Sequence, residues 1–322
     1  MSTMTHDGTT GRVLDLGTRQ RAGLTLAVLS AASFGLSGSL AKGMVAAGWT
    51  PGSAVLVRVA VASVVLAVPT MRSLRGRWAL LGRNLPMVLA YGVVVVAGCQ
   101  LAYFNAAARM PVGVALLIEY TAPVPVIAWL WVRHGERPRR LTVTGALIAG
   151  VGLVLVLDLL AGTSLSGPGV AWAFGATAGA AVYFVLSARE DDALPPLALA
   201  GSGLVIGTVV LALAGVVHAV PMTFATHPPT YDGASVPWWL PVLGLGVVTA
   251  ALAFVTGIAA IRRLGSRLAS FVALFEVLAA LVFAWLLLGE LPHAIQFAGG
   301  ALVLAGVVVV RIGERPAPPP TV

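Results

Sequence analysis

Apolar residues in this chain come in runs of 18–25, and short clusters of Arg, Gly and Pro interrupt them. A helix needs about 20 such residues to cross a hydrocarbon core of about 30 Å. The runs are rich in Leu, Val, Ala and Gly and lack the period-2 alternation of a membrane barrel strand. The pattern predicts ten helices, at 22–42, 51–71, 85–107, 111–132, 141–160, 168–188, 195–217, 237–261, 267–288 and 293–312. Connections are short except for HAVPMTFATHPPTYDGASV (218–236), whose Pro, Thr and His content reads as an exposed loop. The final RPAPPPTV reads as extended or disordered.

Composition fixes the solvent. The 322 residues are 58% apolar and 10% charged, with a mean hydropathy of +0.95, whereas soluble domains carry about 25% charged residues. A soluble fold of this size has no interior large enough for that much apolar surface. The expected class is therefore an all-α integral membrane protein in the cell membrane, with helices satisfying the backbone internally. The net charge of +8 does not indicate a nucleic-acid partner, because the arginines are dispersed between apolar runs. With the N-terminus placed in the cytoplasm, seventeen of the twenty Lys and Arg fall in cytoplasmic segments. Only Lys42 and Arg109 lie on the opposite side, and Arg58 lies within a span. This bias predicts both termini inside. The single cysteine, Cys99, lies within an apolar run and reads as a small packing residue.

A shift of 154 residues aligns RMPVGVALLIEYTAPVPVIAWLWVRHGERP (109–138) with RLGSRLASFVALFEVLAALVFAWLLLGELP (263–292) without a gap. Arg109/Arg263, Trp131/Trp285, Gly135/Gly289, Glu136/Glu290 and Pro138/Pro292 coincide, followed by Gly145/Gly299 and Gly152/Gly306. The expected organisation is a tail (1–21), a first five-helix repeat (22–160), a linker (161–167), a second repeat (168–312) and a tail (313–322). Five is odd, so the halves face opposite ways, the architecture of many secondary transporters.

These residues carry a resemblance. Two copies of an apolar helix ending in Gly-Glu, then a turn and a Gly-bearing helix, resemble the EamA repeat of the drug/metabolite transporter superfamily. SAASFGLSGSLAK (30–42) looks like that family's opening helix with its terminal lysine, although Phe34-Gly35 stands where Trp-Gly is common. The second helix has the family's spacing of Pro51 and Arg58, and LLIEYTAP (116–123) is similar to the fourth helix of threonine/homoserine exporters. The resemblance implies a ten-helix metabolite transporter, often an exporter, with its cavity between the halves.

Two carboxylates fall deep within spans. Glu119 lies eight residues past Pro111, and Glu276 nine past Arg267, depths of roughly 12 and 14 Å at 1.5 Å per residue. Each costs on the order of 3 kcal/mol to insert, so each needs a proton, a cation or water. Both are candidate sites for a substrate ammonium or a coupling proton. Arg58 reaches a similar depth and is read either as a partner for Glu119 or as a ligand for a substrate anion. Gln100, Tyr103, Tyr120 and Tyr183 are candidate cavity-lining residues. Pro123 and Pro125 free carbonyls within a turn of Glu119 and are read as a hinge. Lys42, at a membrane edge, is read as a snorkelling or gating residue. Glu136 and Glu290 read as turn or cap residues. The five histidines lack metal-ligand spacing, and no metal or cofactor is expected. No phosphate-binding loop of an ATP-driven pump and no catalytic constellation is present.

The expected function is secondary active transport, not an enzyme activity. One reading is export of small polar metabolites such as amino acids, with protons as a candidate coupling ion. The other is exchange of organic anions or phosphate esters, with Arg58 and Lys42 as ligands. The partners are a small-molecule metabolite and the bilayer, and the chain is read as a monomer or homodimer.

Overall fold

The first helix, α1, runs from Gly8 to Ala46 and takes in much of the segment expected as a tail. The computed structural model describes residues 8–122, 132, 139–156, 165–187, 194–272 and 274–313. The helix α2 (Pro51–Leu74) opens on a capping box: Ser53 N–H donates to the Thr50 hydroxyl and Thr50 N–H donates to Ser53 Oγ. Pro51 fills its first turn, where the missing N–H costs nothing. After the short helix α3 (Trp78–Arg83), α4 (Leu85–Ala90) leads into a π-helical segment, Tyr91–Cys99, and then α5 (Gln100–Ala107). Then come α6 (Val112–Glu119), α7 (Arg140–Val156), α8 (Gly167–Ser187) and α9 (Pro196–Val216). The helix α10 (Trp239–Leu243) enters a second π-helical segment, Gly244–Leu252, which runs into α11 (Ala253–Val272). The helices α12 (Phe275–Leu288) and α13 (Ala294–Gly313) complete the fold. Among the described residues five stretches, Arg21–Ala46, Pro51–Leu74, Leu85–Ala107, Leu197–Val216 and Trp239–Gly257, are long and apolar enough to cross a membrane, and shorter apolar helices accompany them.

Packing follows an exchange rule. The helix α1 packs on the second π segment, α11 and α12, while α8 packs on the first π segment, α5 and α6. The helices α2 and α9 pack against each other, as do α7 and α13. In α7–α13 the helices run antiparallel and touch through backbone. A Cβ built on Gly145 would lie 2.6 Å from the Val310 nitrogen, and one on Gly299 would lie 2.7 Å from the Val156 nitrogen. Gly145 meets the carbonyl of Gly306, as Gly299 meets that of Gly152. Each contact recurs when both partners are shifted by 154 residues and exchanged. The Gly203/Gly207 spacing serves packing within the chain, against Tyr91 and Val96 of the first π segment.

Two expectations change. The three arginines of IRRLGSRLAS (261–270) predict a loop there, yet the helix continues to Val272. Ala260, Leu264 and Val272 share one face and pack against Leu24, Leu26 and Ala27 of α1, so amphipathic spacing prevails over local charge. The loop 218–236 contains structure. Thr230–Tyr231 (β1) pairs with Ala234–Ser235 (β2) around Asp232 and Gly233, both at positive φ, as a two-residue Asp-Gly hairpin requires. Tyr231 is buried, and its hydroxyl donates to the Leu40 carbonyl at 2.7 Å. Burial pushes that phenol above its usual range, so it stays a neutral donor.

Candidate functional site

Both carboxylates expected within spans lie at helix ends. Glu119 is the last residue of α6. Beyond it the chain tightens, with Thr121 N–H donating to the Ile118 carbonyl and Ala122 N–H to the Glu119 carbonyl, both at 3.0 Å. The Ile118 carbonyl also accepts from Thr121 Oγ1 and from Thr177 Oγ1 of α8. The exposed polar backbone of the break is thus satisfied by protein. Glu276 lies in the first turn of α12, not nine residues into a span, because α11 ends at Val272 and α12 starts at Phe275. That break corresponds to the one after Glu119 under the 154-residue shift. Pro123 and Pro125, the expected hinge, lie outside the described residues. Their counterparts, Val277 and Ala279, are not prolines, so proline is not required for a break at this position.

The breaks meet. Tyr120, next to Glu119, donates its hydroxyl to Glu276 Oε2 at 3.0 Å, and α1 crosses α12 closely at Gly35, which faces the Glu276 carbonyl. On the other side, the Cys99 thiol is shared between Glu119 Oε1 at 3.6 Å and the Ala176 carbonyl at 3.4 Å. The lone cysteine thus does more than fill space: it contacts a candidate acid. Both acids are half-buried.

Arg58 is 2% exposed. The expected partnership with Glu119 does not form: its guanidinium donates to Gln100 Oε1 and, at 2.9 Å, to the Thr249 carbonyl. Its charge centre sits 5.4 Å from the Phe104 ring. Gln100 directly follows the first π segment and Thr249 lies within the second, so Arg58 ties the two together. Glu119, Glu276 and Tyr103 remain within electrostatic reach of it. Tyr103 is buried beside Phe104, and Gly38 leaves room for its hydroxyl. Tyr183 packs near Tyr91, ring centres 6.2 Å apart. A cavity of about 20 Å³ adjoins Arg58 and Gln100, enough for one water.

Lys42 is neither free nor merely snorkelling. It forms an ion pair with Glu290 and donates to the Met110 carbonyl at 2.9 Å. Glu290 Oε2 accepts from Val112 N–H, the first residue of α6, at 3.2 Å. The turn that delivers this carboxylate depends on Gly289 at φ 66°, which ends α12 and lets Glu290 N–H donate to the Ala284 carbonyl. Glu290 is therefore a cap, as read from sequence, but of another helix. Among the described residues no group of His, Cys, Asp and Glu is placed to hold a metal.

Known proteins place this geometry in context. The chain is 29% identical to a probable terminal-alkyne amino-acid exporter of Streptantibioticus cattleyicolor, over 81% of this chain and 84% of that protein. It is 23% identical to the uncharacterized inner membrane transporter YicL of Salmonella typhimurium, over 71% of this chain and 73% of that protein. A crystal structure with 20% sequence identity shares the fold at a TM-score of 0.57, covering 88% of this chain and 96% of that one. The model of the EamA-like transporter family matches twice, over residues 21–158 and again over 167–312, and so this multi-pass membrane chain belongs to the EamA-like transporter family.

Proposed function

We propose that this protein is a secondary active exporter of small polar metabolites such as amino acids, working by alternating access and coupled to protons. Ten helices would form two inverted five-helix repeats, 22–160 and 168–312, joined by 161–167, with both tails cytoplasmic in the cell membrane. The exchange of contacts across the α7–α13 seam supports that symmetry, and the name of the Streptantibioticus relative supports amino acids as solutes.

The observation that carries the reading is the meeting of Glu119 and Glu276 at two helix breaks, one in each family match, linked by Tyr120. Broken helices at mid-membrane recur as the ion and substrate sites of transporters. A carboxyl there exchanges a proton for a solute ammonium, so loading and proton release are linked. Lys42 and Glu290 act as the outer gate, because their pair joins the ends of α1 and α12 to the start of α6. The direct test is flux in proteoliposomes with an imposed proton gradient, using a broad panel of amino acids. Glu119→Gln inserts and folds but loses most gradient-driven flux. Wild-type flux in that variant removes Glu119 from the mechanism.

A further inference from the structure

We infer that Arg58 is the anchor for the carboxylate of the transported solute, and that the apolar wall beside it receives an aliphatic side chain. The preferred solute class is then a zwitterionic amino acid with an apolar side chain. This assignment rests on the transporter reading above and narrows it to a substrate class and an orientation.

Arg58 is almost fully buried, and the partners of its guanidinium, an amide oxygen and a backbone carbonyl, are neutral. Among the described residues the only ion pair is Lys42–Glu290. A guanidinium offers five N–H donors in a fork that matches a carboxylate. Burying it without a directly bonded counter-ion is costly, and Glu276 and Glu119, close enough to act on it electrostatically, do not bond to it. A scaffold arginine is better served by a direct carboxylate pair. The arrangement here suits a cation whose anion arrives with the solute.

The cavity beside Arg58 is polar only at the Arg58 and Gln100 end, and its remaining wall includes Val95, Leu204 and Phe254. In this conformation it has room for a single water. Its wall draws on Val95 of the first π segment and Ala250 of the second, and π-helical turns are rare and recur at functional sites.

Gln100 holds the guanidinium, and its neighbour Cys99 holds Glu119. A cation and an anion are thus kept apart by two neutral side chains on consecutive residues. The two ends of an amino acid replace those neutral partners: its carboxylate takes the place of Gln100 on Arg58, and its ammonium that of the Cys99 thiol on Glu119.

The experiment uses the full chain in proteoliposomes and measures inhibition and uptake with leucine, leucinamide, which lacks the carboxylate, and 4-methylpentanoate, which lacks the ammonium. Wild type prefers leucine to leucinamide by about tenfold or more, a single charge-assisted contact converted to a ratio. In Arg58→Gln the KM for leucine rises by a similar factor while that for leucinamide stays put, and Arg58→Lys recovers part of the loss. Equal handling of leucine and leucinamide by wild type, or an unchanged leucine KM in a folded Arg58→Gln, overturns the anchor. If Arg58→Gln does not fold, the wild-type comparison decides alone. Wild-type flux of other solutes without leucine or leucinamide recognition also overturns the anchor, leaving the transporter reading intact. No flux of any solute overturns both.

Discussion

At one end of the molecule a lysine and a glutamate touch; at its centre an arginine and two glutamates do not. Lys42 and Glu290 neutralise each other, and each also binds backbone next to or within α6. In the central site, neutral groups intervene: Gln100 and a carbonyl on Arg58, a thiol on Glu119, a phenol on Glu276. A paired charge closes a gap between helices and has little left for a ligand. A separated charge has unspent hydrogen-bonding capacity. The contrast explains why the same residue types serve as a clasp in one place and as a candidate binding site in another.

The largest effect is expected from neutralising the central acids. Glu276→Gln and Glu119→Gln each lower proton-driven flux by about 10- to 100-fold, as expected for losing one charge-assisted bond of about 1.5–3 kcal/mol. Normal insertion, checked by membrane fractionation, shows that the loss is chemical. A smaller effect is expected at the outer pair, whose side chains are 24% and 23% exposed. Lys42→Met strands Glu290 and destabilises the protein by about 1–2 kcal/mol, less than for a fully buried pair. Thermal unfolding in detergent reads this as a lowered midpoint, and the swap Lys42→Glu with Glu290→Lys regains part of it. If instead Lys42→Met abolishes flux as fully as Glu276→Gln, the outer pair belongs to the solute or coupling site and is not a gate alone. The smallest effect belongs to Cys99. Cys99→Ser keeps a donor for Glu119 and changes flux by no more than about twofold, whereas Cys99→Val removes the donor and costs several-fold. Equal fluxes in the two variants make the thiol a packing group only.

Much of the frame is legible in the amino-acid sequence. The apolar runs locate Pro51–Leu74 and Leu85–Ala107 to within a few residues, and the Gly-Glu duplication marks a helix end and its cap at Gly289 and Glu290. Depth counting singles out Glu119, Glu276 and Arg58, because lone charges in long apolar runs have few explanations. Pairing is what the sequence hides. Residue spacing gives the depth of a side chain but not its azimuth, so it offers Arg58 the carboxylate of Glu119 where the fold supplies the amide of Gln100. The arginine cluster at 262–267 masks a helical stripe that is present in the spacing of Ala260, Leu264 and Val272. The Asp232-Gly233 hairpin carries its usual signal, but the surrounding prolines and threonines give the whole segment the composition of a loop. The π segments give no warning: YGVVVVAGC and GLGVVTAAL read as ordinary apolar helix. The break before Phe275 is equally silent, since no proline announces it.

The glycine seam between α7 and α13 has a mechanical meaning. Gly145, Gly152, Gly299 and Gly306 form a joint whose two sides are interchangeable. Suppose the halves trade shapes while a solute crosses. Every asymmetric interface must then be taken apart and rebuilt, but a joint that maps onto itself looks the same before and after. It can remain shut throughout the cycle, and the moving parts can turn about it as a door turns about its pin.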